Sequence, residues 1–278
     1  MAWMGTETLM RAGAFLVIFA LLAVTEVLAP RRRLSVSKIK RWRTNLTIVV
    51  LNPLSVALVF PLLPIGLAVL ASEQNWGLLN QWAMSGPMFY WLKIVIGFLI
   101  LDLTVYTQHV LHHALPALWR LHMVHHADLD FDVTTGLRFH PFEIIISMAI
   151  KLAAVAALGV PPAAVLLFEV ALNATSMFNH SNIRIPDKID QALRLVVVTP
   201  DMHRVHHSVI IQETNSNFGF NLPWWDRLFG TYKDQPDKGH TDMVIGLSQF
   251  RDQQKLSLPR LLILPITGHP GIVPINRH

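Results

Sequence analysis

The chain has 278 residues, of which 52 % are hydrophobic and only 15 % charged, with a mean hydropathy of +0.41. A soluble domain carries about 25 % charged residues, so a surface exposed to water throughout is excluded and the composition reads as membrane-embedded. No cysteine is present, which excludes disulfides, thiolate-ligated haem, iron–sulfur clusters and cysteine zinc sites; any metal must take nitrogen or oxygen ligands.

The first apolar stretch covers residues 12–30, interrupted only by Glu26. A cleavable leader fits it poorly, because the basic residues follow the stretch rather than precede it. Seven of the 23 Lys and Arg fall between Arg31 and Arg43. Such a run can be a solvated loop or a nucleic-acid patch, but between two apolar segments it reads as a cytoplasmic flank, and no nucleic-acid partner is expected. Residues 44–72 carry no charge and exceed the roughly 20 residues of a membrane span; Pro53, Pro61 and Pro64 predict a kinked or broken helix. A polar, Trp-containing connection, SEQNWGLLNQWAMSG, follows. A third helix is expected from Pro87 to about His109, with the apolar run 94–101 leading into Asp102. Residues 142–158 and 161–178, separated by Gly159-Val-Pro-Pro, read as a helical hairpin that enters the membrane and returns. Arg120 and Arg138 before it, and Arg184, Lys188 and Arg194 after it, agree with two cytoplasmic ends. The expectation is one all-α integral-membrane domain over 1–278: N-terminal spans to about 108, a histidine-rich region at 109–232 containing the hairpin 142–178, and a polar tail from 233.

Eleven histidines lie between His109 and His207, and this topology collects them on one side of the membrane. Three clusters stand out: QHVLHHALP, with His109, His112 and His113; LHMVHHAD, with His122, His125 and His126; and MHRVHHS, with His203, His206 and His207. On a helix, residues three and four apart share a face with Cβ atoms about 5–6 Å apart. Imidazoles from several helices can therefore surround one metal ion or two. A lone histidine is usually a packed or surface residue, but two copies of H-x-x-H-H plus H-x-x-x-H point to a site. His180, in FNHSNIRIP, is expected to join it. His140, in LRFHPFE, is open between ligand, supporting residue and helix start. His112 falls off the His109–His113 face and reads as supporting or surface. Asp102, Asp128, Asp132, Glu143 and Asp201 are candidates to orient imidazoles through the second ring nitrogen. His240, His269 and His278 read as unrelated to the site. Eight or nine imidazoles exceed one tetrahedral zinc shell, so two metals are indicated; nitrogen ligands alone leave zinc, copper, iron and nickel open. No H-E-x-x-H occurs, against the usual zinc protease.

The order of these clusters, with LPALWRLHMVHHAD, DVTTGLRFHPFE, FNHSNIRIP, TPDMHRVHHS and NFGFNLPWWDRLFGTY, resembles the fatty acid hydroxylase/sterol desaturase superfamily of histidine-box membrane oxygenases. The resemblance implies a multi-pass helical bundle whose cytoplasmic helical cap carries a non-haem di-iron centre. It further implies that dioxygen is used to hydroxylate or desaturate a lipid C–H bond. Electrons would come from NAD(P)H through a separate ferredoxin or small cytochrome with its reductase. Carried onto this chain, the ligands are His109, His113, His122, His125, His126, His180, His203, His206 and His207; zinc would be the substitute metal in a purified sample. Two rival readings are a metal-dependent lipid hydrolase, using a metal-bound hydroxide, and a membrane metal-binding or transport protein. Transport would spread ionisable groups along the membrane path, whereas here they gather at one face.

Overall fold

A computed structural model describes residues 2–83, 86–273 and 275; His278 lies outside the described residues. Among these residues the structure is helical, with only two isolated bridges, Pro30 with Ile183 and Ser208 with Ile245. The long helices are α1 (Ala2–Leu28), α2 (Lys38–Val59), α3 (Pro64–Glu73), α4 (Pro87–Ala114), α5 (Pro116–His126), α6 (Pro141–Leu158) and α7 (Pro162–Asn179). Six shorter ones follow: α8 (Asp187–Leu193), α9 (Pro200–His206), α10 (Ile211–Thr214), α11 (Trp224–Leu228), α12 (Gly239–Asp242) and α13 (Leu258–Thr267).

Proline sets many of the starts. Pro64, Pro87, Pro116, Pro141, Pro162 and Pro200 each open a helix, where the missing N–H has no intrahelical partner to lose. Pro61 lies in the break between α2 and α3, while Pro53 stays inside α2, as neighbouring helices allow in membranes. The span expected at 44–72 thus has two pieces, and it starts earlier than its apolar run. Ser37 caps α2 by accepting from the Lys40 N–H, so Lys38, Lys40, Arg41 and Arg43 form its first turns rather than a loop.

Four stretches are long and apolar enough to cross a membrane: Leu9–Leu28, Lys38–Glu73, Pro87–Ala114 and Pro141–Leu158. Helix α7 packs among α1, α3 and α4 and closes the bundle. Its buried Glu169 is held by Lys151 of α6 at 3.0 Å and Arg11 of α1 at 3.2 Å. An ionisable group in a bundle interior needs such partners, so three helices are tied by one carboxylate. Gly159 ends α6 with φ +64, a left-handed cap that suits glycine. The hairpin tip then hydrogen-bonds to the segment after α3, Leu79 N–H to Leu158 O at 2.7 Å. A Cβ on Gly77 would overlap the Gly159 backbone, which fixes glycine at both positions.

That contact defines one end of the bundle. At the opposite end the last turns of α4, the start of α6 and the end of α7 meet α5 and α8–α13, which form a cap. One apolar core of the cap includes Trp119, Met123, Val124, Leu261 and Leu264. The basic segment between α1 and α2 straps across the cap. Arg31 pairs with Asp201 at 3.0 Å, and the Arg32 guanidinium donates to Met243 O at 2.8 Å. Buried Arg41 pairs with Asp128 at 2.5 Å and Asp132 at 2.7 Å. Several of these cations are thus internal ties as well as flanking charge.

Candidate metal centre

Each histidine cluster sits on a short helical reach that the cap brings to one depth. His109 and His113 lie one turn apart near the end of α4. His122, His125 and His126 occupy the second half of α5, and His203 and His206 lie on α9 with His207 as its C-cap. His180 is the C-cap of α7. These nine rings form two groups: His109, His113, His122, His126 and His206 in one, and His125, His180, His203 and His207 in the other. Within each group the nitrogens available to an ion lie within 4.8 Å of one another, and all nine residues are buried.

The partition follows helical geometry. On α5, His122 and His126, four apart, serve the first group, and His125 turns to the second. On α9 the roles are exchanged: His203 and His207 serve the second group and His206 the first. Each H-x-x-H-H motif therefore feeds both groups, and its adjacent pair of histidines straddles them. The groups touch, with the rings of His126 and His207 stacked at 4.6 Å.

Hydrogen bonds on the far ring nitrogens fix which atom faces inward. Nδ1–H of His109 donates to Phe218 O at 2.7 Å, that of His180 to Ser176 O at 2.7 Å, and that of His206 to Ser216 O at 2.7 Å. His122 Nδ1–H donates to Glu143 Oε1 at 2.6 Å, and His113 Nδ1 meets Asn215 Oδ1 at 3.2 Å. Carbonyl and carboxylate oxygens only accept, so these Nδ1 atoms carry the proton and the Nε2 atoms are lone pairs. Yet His109 Nε2 lies 3.1 Å from His122 Nε2, and His180 Nε2 lies 3.1 Å from the Nε2 atoms of His125, His203 and His207. For His109 and His122 these are two lone pairs, which repel at that distance unless a cation lies between them; His125, His203 and His207 all crowd the single lone pair of His180, and their Nδ1 atoms are buried without a partner. Two nitrogens on one ion at about 2.0–2.1 Å, at angles from right to tetrahedral, stand about 2.8–3.4 Å apart. His206 Nε2 is likewise buried without a hydrogen-bond partner. The donor set fits two metal ions.

Electrostatics agree. Burial pushes His122, His180 and His206 down to about 3. His125, His126, His203 and His207 are also held well below the ordinary imidazole range, by burial and then by neighbouring rings. Near neutral pH the cluster is uncharged, the form that binds metal.

The other named residues fall elsewhere. His112 is buried beside His122, with ring centres 5.5 Å apart; its Nδ1–H donates to Gln108 O and its Nε2 has no partner, and it belongs to neither group. His140 caps α6, accepting from the Phe142 N–H, and its Nε2 bonds Leu262 O of α13. Asp102 accepts from Asn221 and Trp225, both at 2.8 Å. Asp201 pairs with Arg31 and Arg204. Of the five candidate carboxylates, only Glu143 bonds a histidine of the groups. His240, expected to be unrelated to the site, is also outside both groups, but it is buried, 3.6 Å from Asp201. His269 belongs to neither group. The carbonyls of Ser176, Ser216 and Phe218 carry no sequence signal, because every residue has one.

Comparison with known proteins gives the same direction. The model of the fatty acid hydroxylase family matches residues 94–231. The ornithine lipid hydroxylase OlsE of Rhizobium tropici is 31 % identical over 60 % of this chain and 47 % of its own length. The alkylglycerol monooxygenase of Danio rerio is 31 % identical over 51 % of this chain and 31 % of its own, and the cholesterol 25-hydroxylase of Homo sapiens 28 % over 50 % and 51 %. The chain thus spans about half or less of these relatives, and no solved structure matches it. With its helical bundle, its paired histidine groups and these similarities in view, this chain belongs to the fatty acid hydroxylase family.

Proposed function

We propose that the chain is a membrane-bound, non-haem di-iron monooxygenase that hydroxylates a C–H bond of a lipid. The observation that carries the reading is the pair of adjoining histidine groups, five and four strong, with ring nitrogens turned toward one another at 3.1 Å. In this reading those nine histidines are the ligands. Five imidazoles exceed the tetrahedral shell usual for zinc, which favours iron at the first group. When bound, the iron pair supplies the reductive activation of dioxygen and the removal of hydrogen from carbon; the electrons come from NAD(P)H through a ferredoxin or small cytochrome with its reductase.

The chain's own part is placement and exclusion. Glu143 and the three carbonyls orient the imidazoles. The site is enclosed, with Trp119, Phe131 and Phe218 fully buried around it. Phe139 stacks on His125 at 4.4 Å and lies 6.2 Å from His122; Phe220 packs on His109 at 5.0 Å and on His203 at 5.7 Å. Each ring therefore touches both groups, and the two rings stand 6.4 Å apart. We assign this aromatic pair as the apolar wall against which the reacting methylene rests. The hydroxylases of ornithine lipid, alkylglycerol and cholesterol among the relatives point to a membrane lipid, with hydroxylation ahead of desaturation. The whole chain acts as one integral-membrane unit with the metal end facing the cytoplasm.

Purified protein should hold about two irons per chain and convert a lipid to a product heavier by one oxygen atom only when dioxygen and reductant are present. His125→Ala or His206→Ala should abolish turnover while membrane insertion persists. Turnover with zinc in the absence of oxygen would sink the reading in favour of lipid hydrolysis.

A further inference from the structure

We infer that a basic cavity at the start of α2 binds the headgroup of an anionic phospholipid, at a site separate from the histidine groups. The cavity, about 390 Å³, lies between the first turns of α2, residues 128–129, Arg138 and the segment 253–258, and no histidine lines it. Four cations line it, Lys40, Arg41, Arg43 and Arg138, against a single carboxylate, Asp128.

These cations differ in how far they are already satisfied. Arg41 is paired with Asp128 and Asp132. Arg138 is 1 % exposed. Its Nε donates to Val124 O at 2.9 Å and its Nη1 to Asn45 Oδ1 at 3.1 Å, and Nη1 also lies 3.8 Å from Asp128, a carboxylate already shared with Arg41, but its Nη2 is buried with no hydrogen-bond partner. A buried charged donor left unpaired is costly, and a phosphate oxygen is the acceptor that a guanidinium suits best. Lys40 and Arg43 stand at the rim, and neither forms an ion pair among the described residues. The N-terminus of the 22-residue helix α2 adds its own partial positive charge at the same place.

The path out of the cavity distinguishes a lipid from a free anion. Arg43, Thr47, Val50, Leu54 and Leu58 recur at three- and four-residue spacing along one face of α2. The first two line the cavity, and the last three are 61 %, 57 % and 88 % exposed. A headgroup seated in the cavity would lay its acyl chains directly on that apolar stripe. Basic residues at the cytoplasmic end of a span are the usual reader of anionic headgroups. The inference requires α2 to enter the membrane here and does not depend on the proposed oxidation.

The test is lipid retention by the full-length protein, purified in mild detergent and exposed to phosphatidylglycerol, phosphatidylcholine or inorganic phosphate, with bound lipid read by native mass spectrometry. Phosphatidylglycerol should be retained at least about tenfold better than phosphatidylcholine, for a net gain of one or two charge contacts. The double variant Lys40→Ala/Arg43→Ala should weaken retention about 30-fold, at roughly one contact's worth per lost cation, with metal content unchanged. If that variant loses its metal, Arg43→Glu alone serves as the second reading and should also cut retention. Equal retention of both lipids, wild-type retention by a variant that keeps its metal, or displacement of the lipid by millimolar inorganic phosphate would each overturn the assignment.

Discussion

Between His122 and Glu143 a single hydrogen bond of 2.6 Å decides which ring nitrogen is free to face His109. Both partners are buried, and in the proposed centre the carboxylate would raise the basicity of the imidazole it orients. Glu143→Gln keeps the shape and removes the charge, and the amide can present either its oxygen or its NH2 to Nδ1. The expected result is a loss of about 10–100-fold in metal affinity or activity, as for other outer partners of metal-bound imidazoles. Metal content after dialysis against graded chelator measures it; unchanged retention with unchanged turnover would remove Glu143 from this role. The sequence offered Glu143 among five carboxylates and placed Asp102 and Asp201 ahead of it. Only folding selects it, because the start of α6 lands on α5, whereas Asp102 and Asp201 are drawn to Trp225 and Arg204. The gathering of the histidines was legible, since residue type and helical spacing signal it.

Helical spacing predicts which histidines share a face, yet not how two faces interlock. The sharing of α5 and α9 between both groups depends on the crossing of two helices that begin more than seventy positions apart in the chain, and no local pattern reports it. The turn Thr135–Leu137, a 3-10 helix, shows what holds the second group in register. A Cβ on Gly136 would overlap the Ser176 carbonyl and come within 3.0 Å of His180 Nδ1. That carbonyl is the acceptor that orients His180, and Ser176 Oγ in turn donates to Gly136 O at 2.7 Å. Gly136→Ala must therefore push the end of α7 away at an overpacking cost of about 1–3 kcal/mol. Because His180 belongs only to the second group, the variant should lose about half its metal while the first group stays loaded. Iron analysis alongside thermal unfolding separates the cases: a fully metallated, fully active variant would show that the turn tolerates the methyl group.

Four apolar stretches were readable from hydropathy, and the structure makes each helical and long enough to cross a membrane, whereas the second arm of the expected hairpin, α7, is not among them. The cap was not readable, because ties such as Arg31–Asp201, Arg41–Asp128 and Asp102–Trp225 join residues far apart in the chain. The two parts together make a statement about depth. Helix α4 has 28 residues, about 42 Å at 1.5 Å per residue, which exceeds a hydrocarbon core of about 30 Å. His109 and His113 lie in its last turns, so in the proposed orientation they would stand near the edge of the apolar layer. The hairpin tip and the segment after α3 lie at the other end. In the proposed orientation, with the basic residues 31–43 on the cytoplasmic side, the metal end would be cytoplasmic and Gln74 would lie on the far side. The chain has no cysteine, which makes the assignment directly measurable. Lys188→Cys and Lys238→Cys, at exposed positions of the cap, should be blocked by a membrane-impermeant maleimide only after the cells are opened, and Gln74→Cys should be blocked in intact cells. Labelling of all three from the same side would contradict a membrane-crossing bundle, and the reverse pattern would place the histidines on the outer face, away from any NAD(P)H-linked donor.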